Sequence, residues 1–89
     1  MTMHEALARV PGLTRQELYR YEARGYIKPR KHNVGRVKRN DYSADQIEFS
    51  RLIKYYLMVG SSEGRTLDEA NRMALVDMGK GMADVLRTY

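Results

Sequence analysis

At four places this chain sets a Ser or Thr three residues ahead of a Glu or Gln, each time at the head of an apolar periodic run: Thr2 with Glu5, Thr14 with Glu17, Ser43 with Gln46, and Thr66 with Glu69. In such a pair the hydroxyl accepts from the third helical N–H, and the longer side chain reaches back to the cap residue's own N–H. One match carries little weight. Four that alternate with the breakers Pro11-Gly12, Gly25, Gly35, Gly60 and Gly79-Lys80-Gly81 set the helix starts along the whole chain. The expected fold class is mostly α, with four helices, one small β-hairpin and a short C-terminal helix.

The first helix is expected over Thr2 to Arg9, burying Met3, Leu7 and Val10. Pro11-Gly12 then forces a tight turn into a second helix, which makes a helix-turn-helix unit. Leu13 and Leu18 are spaced to staple the start of that helix, and Gly25 can take the left-handed conformation that closes it. From Lys28 to Tyr42 the pattern reads as a two-stranded hairpin turning around Asn33 to Gly35, because Asn and Gly tolerate positive φ. A third helix starts at Ser43, buries Phe49, Leu52, Ile53 and Tyr56, and stops at Gly60. After the polar loop from Ser61 to Arg65, a fourth helix over Thr66 to Met78 presents Leu67, Ala70 and Ala74 at core spacing. Residues 1–78 are expected to form one domain. Residues 79–89 carry an apolar stripe of Met82, Val85, Leu86 and Tyr89, read as a short helix folding back or as the start of an oligomerisation helix.

Charge is concentrated in one stretch. The net charge of +5 arises because residues 14 to 42 hold nine basic side chains against three acidic ones. A basic run is ordinarily a solvated face, but one gathered on a capped helix and the adjoining hairpin points to a polyanion. With Leu18 and Tyr21 turned inward, helical spacing places Arg15, Gln16, Tyr19 and Arg20 together on the outward side. Such a helix start, rich in donors, suits a DNA major groove. Arg36, Lys38 and Arg39 on the hairpin, with Arg24, Lys31, His32 and Arg65, are the expected phosphate contacts. Thr14 is chiefly a cap, and its amide can also meet a phosphate.

Composition narrows the chemistry. There is no cysteine, which removes disulfides and thiolate metal sites. The two histidines, His4 and His32, share no metal-ligand spacing with a carboxylate, so no metal and no cofactor are expected. No nucleophile with a base, carboxylate pair or phosphate-cradling Gly loop has a readable spacing, and catalysis is not expected. No apolar run is long enough to span a bilayer and the start lacks signal-peptide order, so the expected location is cytoplasmic, on the nucleoid when DNA is bound.

The segment Leu18-Tyr19-Arg20-Tyr21-Glu22, followed by Gly25-Tyr26-Ile27, Pro29-Arg30, Gly35-Arg36, Tyr42-Ser43 and Gly60, resembles the MerR family of transcription regulators. The likeness runs from about Thr2 to Ala74. It implies a winged helix-turn-helix in which Arg15, Gln16, Tyr19 and Arg20 face the groove and Arg36, Lys38 and Arg39 on the wing meet the phosphate backbone. Tyr19 stands where that family usually has an arginine, and the hairpin and the loop before Thr66 are longer than usual. The family's long dimerisation helix and effector region have no counterpart, so no small-molecule effector is implied, and the expected partners are double-stranded DNA and further copies of the chain on it. Two other functions fit the residues: an excisionase-like architectural factor that bends DNA, and a protein-interaction adaptor using the C-terminal stripe.

Overall fold

The computed structural model describes residues 1–79. Four helices, α1 (Met3–Arg9), α2 (Arg15–Ala23), α3 (Ala44–Val59) and α4 (Leu67–Met78), accompany an antiparallel hairpin. Its strands, β1 (Arg30–Val34) and β2 (Val37–Asp41), connect α2 to α3. A single 3-10 turn, Ser61–Glu63, precedes α4. The stripe of Met82, Val85, Leu86 and Tyr89, with the short helix expected to carry it, lies outside the described residues.

All four capping boxes form, so each helix begins where its Ser or Thr dictates. At α2 the Glu17 N–H donates to Thr14 Oγ1 over 3.2 Å, and the Thr14 N–H donates to Glu17 Oε1 over 2.8 Å. A cap of this kind stabilises a helix by about 1 kcal/mol. The far end of α2 closes as a Schellman motif: the Tyr26 N–H donates to the Tyr21 carbonyl (2.9 Å) and the Gly25 N–H to the Glu22 carbonyl (3.0 Å). Gly25 sits at φ +76°, where a side chain would be strained. The accompanying contact between the two flanking residues is aromatic, with the Tyr21 and Tyr26 rings 6.5 Å apart.

The core gathers Leu13, Leu18, Tyr21, Ile27, Tyr42, Ile47, Phe49 and Ile53 with the small residues Ala6, Ala70 and Ala74. α4 packs chiefly against α3, and its two alanines let the backbones approach closely. The expectation for α1 is corrected here: its fully buried residue is Ala6, while Met3, Leu7 and Val10 are only partly covered. Leu52 and Tyr56 of α3 are likewise partly buried. Gln46 is fully buried, and its Nε2 donates to the Lys28 carbonyl (2.9 Å), tying α3 to the chain leading into the hairpin.

The hairpin turn also differs from the expected Asn33 to Gly35. Asn33 pairs with Lys38 and Val34 with Val37, so only Gly35 and Arg36 lie in the loop. Gly35 has φ +63° and Arg36 stays at negative φ, the arrangement of a type II′ turn with glycine at its first central position. The strand twist decides between the two sites: a two-residue turn of this hand matches it, and Asn33 serves as a ladder residue instead.

Arg65 has a protein partner that its place in the sequence does not suggest. Its Nη1 donates to the Tyr56 carbonyl at 2.8 Å, its side chain is only 17% exposed, and it lies against Gly60. It caps the end of α3. A Cβ at Gly60 would fall 2.4 Å from Arg65 Nε and 2.7 Å from Arg65 Cβ. Gly60→Ala is therefore expected to cost about 1 to 3 kcal/mol, read as a lowered midpoint in urea unfolding.

Lys54 of α3 fixes the turn between α1 and α2. Its ammonium donates to the Gly12 carbonyl and, over 2.8 Å, to Glu17 Oε1. Burial pushes the Glu17 pKa up, but the hydrogen bonds from Lys54 and Thr14 outweigh it and leave the pKa below the ordinary value. A depressed carboxylate stabilises the fold above its unfolded pKa, and that contribution is lost as pH falls through the folded one. Lys54→Met is expected to remove part of the stability difference between pH 7 and the acid limb, measured as unfolding midpoints in both proteins.

Candidate nucleic-acid interface

The periodicity of α2 makes it two-sided. Leu18 and Tyr21 enter the core, where burial pushes the Tyr21 hydroxyl up to about 12, while Arg15, Gln16, Tyr19 and Arg20 all stand exposed. Tyr19 leaves 49% of its surface open. The expected outward set is thus brought to one face of one helix.

Beside that face rises the hairpin. Every residue from Arg30 to Arg39 is exposed, so no apolar side of the ribbon is packed on the core beyond its root. Two-stranded ribbons are marginal by themselves in water, and this one is held at its base. There Lys31 Nζ donates to Glu22 Oε2 (2.5 Å) and to Asn40, and Asn40 Nδ2 donates to Glu22 Oε1 (3.0 Å) and the Tyr42 hydroxyl (2.9 Å). On the other flank the amine of Met1 donates to Asp41 Oδ1 (2.7 Å) and the Tyr42 N–H donates to the Met1 carbonyl (2.7 Å). The ammonium beside Asp41 holds its carboxyl below the ordinary value. Glu22 thereby links the last turn of α2 to both strands and sets the angle between helix and hairpin.

Between these elements lies a cleft of about 530 Å³. α2 contributes Arg15 and Tyr19, the hairpin Lys31 and the run from Val37 to Asn40, and the start of α1 Thr2, Met3 and His4. Five of the expected contact residues, Arg15, Tyr19, Lys31, Lys38 and Arg39, therefore converge on one concavity. Arg15, Arg20, Arg36, Lys38 and Arg39 make no ion pair among the described residues. Among the described residues their charges have no acidic partner.

The remaining expected residues are placed differently. Gln16 and Arg20 lie on the exposed face of α2 outside the cleft, and Arg36 occupies the hairpin turn. His32 sits within β1 opposite Arg39. Arg24 lies 3.7 Å from Asp68, which also accepts from the Tyr26 hydroxyl, so its charge joins α2 to α4. Lys31 is balanced by Glu22 and serves the hairpin root. Thr14 spends its hydroxyl on its own cap, accepting from the Glu17 N–H and donating to Glu17 Oε1 (3.0 Å). Arg65 donates to the Tyr56 carbonyl and lies 3.9 Å from Glu63. Sequence reasoning missed His4 and Asn40 as cleft residues. The Thr2 cap does place His4 in an exposed first turn, but its nearness to the hairpin is a tertiary fact.

No family model matches this chain, and no curated protein or solved structure matches it. No described helix is long and apolar enough to cross a membrane.

Proposed function

We propose that this chain binds double-stranded DNA sequence-specifically, as a small MerR-like transcription regulator built on a winged helix-turn-helix. In this reading α2 enters the major groove and the hairpin is the wing. The observation that carries it is the convergence of Arg15, Tyr19, Lys38 and Arg39, three of them cations with no ion-pair partner among the described residues, on one cleft flanked by an exposed helix and an exposed ribbon.

The dimensions suit a duplex. Nine helical residues span about 14 Å at 1.5 Å per residue, and a helix of roughly 10 to 12 Å diameter fits a major groove about 12 Å wide. Arg15 and Gln16 reach base edges, since Arg pairs with guanine and Gln with adenine through two hydrogen bonds each. Tyr19 offers its ring to a thymine methyl or a sugar, and Arg36, Lys38 and Arg39 grip the backbone, which sets register without reading sequence. Glu22, Lys31 and Asn40 hold the two gripping surfaces at a fixed angle.

Genome-wide recovery of bound fragments, followed by titration of the recovered site against scrambled duplex at two salt concentrations, tests the proposal. The expected result is a shared short motif bound about a thousandfold or more above scrambled DNA, with affinity falling as salt rises. Equal, salt-insensitive binding to every duplex would refute it.

A further inference from the structure

The cleft has a third wall that DNA readout by helix and hairpin does not use. His4, exposed in the first turn of α1, faces the same concavity as Arg15 from α2 and Lys38 and Arg39 from β2. Among the described residues no carboxylate lines that space. The acids on the bordering elements have partners of their own: Glu5 accepts from the Thr2 N–H (3.1 Å), Asp41 from the Met1 amine (2.7 Å), and Glu22 from Lys31 and Asn40. Arg15, Lys38 and Arg39 line one cleft, and an anion placed there is attracted by all three charges while accepting hydrogen bonds from the donors it reaches. An imidazole adds a directed ring N–H donor whatever its charge.

We infer that this cleft is a phosphate site in which His4 hydrogen-bonds a phosphate oxygen whose charge is met by Arg15, Lys38 and Arg39, so that α1, α2 and the hairpin grip one phosphate together. The inference deepens the DNA-binding reading by naming a specific backbone phosphate as the ligand and α1 as a contact element. A phosphate on three elements fixes the orientation of the domain on the duplex more firmly than contacts from either flank alone. The shared chemistry is the phosphoryl group, whether it belongs to a duplex or to a free phosphorylated ligand.

The chain has only two histidines, His4 and His32, so its two imidazole signals are readily told apart and the His4 ring reports on the site directly. The ring signals are followed by NMR while the chain is titrated first with inorganic pyrophosphate and then with its recovered DNA site. The His4 ring is expected to move with DNA. His4→Ala, at an exposed position that leaves the melting curve unchanged, is expected to weaken DNA binding about fivefold, the size of one hydrogen bond, and His4→Gln, which keeps an N–H donor, to recover most of it. Replacing single phosphates of the site by neutral methylphosphonates should then find one position whose effect does not add to that of His4→Ala, and the same position should be non-additive with Arg39→Ala.

Normal binding by His4→Ala, or couplings of His4 and Arg39 to different phosphates, overturns the three-walled site and leaves the DNA-binding reading intact. If the unaltered chain binds no DNA even at low salt, the DNA reading falls. The phosphate site then stands if pyrophosphate moves the His4 ring, and falls with it if the ring is unmoved.

Discussion

Replacing Lys38 and Arg39 together by alanine is expected to weaken binding to specific and non-specific duplexes alike, by on the order of a hundredfold or more, from charged hydrogen bonds of about 1.5 to 3 kcal/mol each. Both residues lie on β2, line the cleft and have no acidic partner among the described residues, so their removal breaks no described ion pair. Removing one cation from a phosphate lowers the slope of log affinity against log salt by about 0.9, which makes the expected change about 1.8 for the pair. Fluorescence anisotropy across a salt series measures both quantities. A salt slope equal to that of the unaltered chain would mean that the hairpin does not touch the backbone.

Alanine at Arg15 or at Gln16 changes a different property. A paired hydrogen bond to a base edge discriminates by about 1 to 3 kcal/mol, so each variant is expected to tolerate any base at one position of the site while ranking the other positions as before. The two together relax adjacent positions, and discrimination between the recovered site and scrambled duplex falls by up to roughly three orders of magnitude. Both residues are exposed on α2 and neither caps it, so the melting temperature should stay close to that of the parent. Selection of bound sequences from a random pool reads the outcome. An unaltered motif from both variants would remove α2 as the reader.

The two experiments separate positioning from reading because the structure separates the groups that do each. The hairpin has cations and no packed face; α2 has a packed face and a polar one. Glu22 stands between them. Its carboxylate joins Lys31 and Asn40 at the hairpin root, so an uncharged replacement would loosen the angle between reader and grip without touching either.

Much of this molecule was legible in its residues. The four Ser or Thr caps with their Glu or Gln partners placed every helix start, because capping is a contact within four residues and needs no tertiary help. Gly25 ended α2 for a similarly local reason, the positive φ that its successor's hydrogen bond to Tyr21 requires. Period and charge together turned Arg15, Gln16, Tyr19 and Arg20 outward. The hairpin was foreseen, but its turn was placed too early, since both Asn33 and Gly35 tolerate turn geometry and only the register of the ladder chose Gly35-Arg36.

What the tertiary structure decided was which side chains are spent. Sequence places Arg24, Lys31 and Arg65 among the expected phosphate contacts; packing brings Asp68, Glu22 and the Tyr56 carbonyl to them from other elements. The same distance hid Ala6 as the buried residue of α1, because a methyl enters a core only where another element comes close. It also hid His4, which lines a cleft only once the hairpin is folded beside it. Caps, helix ends and faces follow from local hydrogen bonding and the period of the helix. Charge compensation and concavity follow from where distant elements meet, and that is set by the packing of Tyr42, Phe49 and Leu18 in the core rather than by any motif.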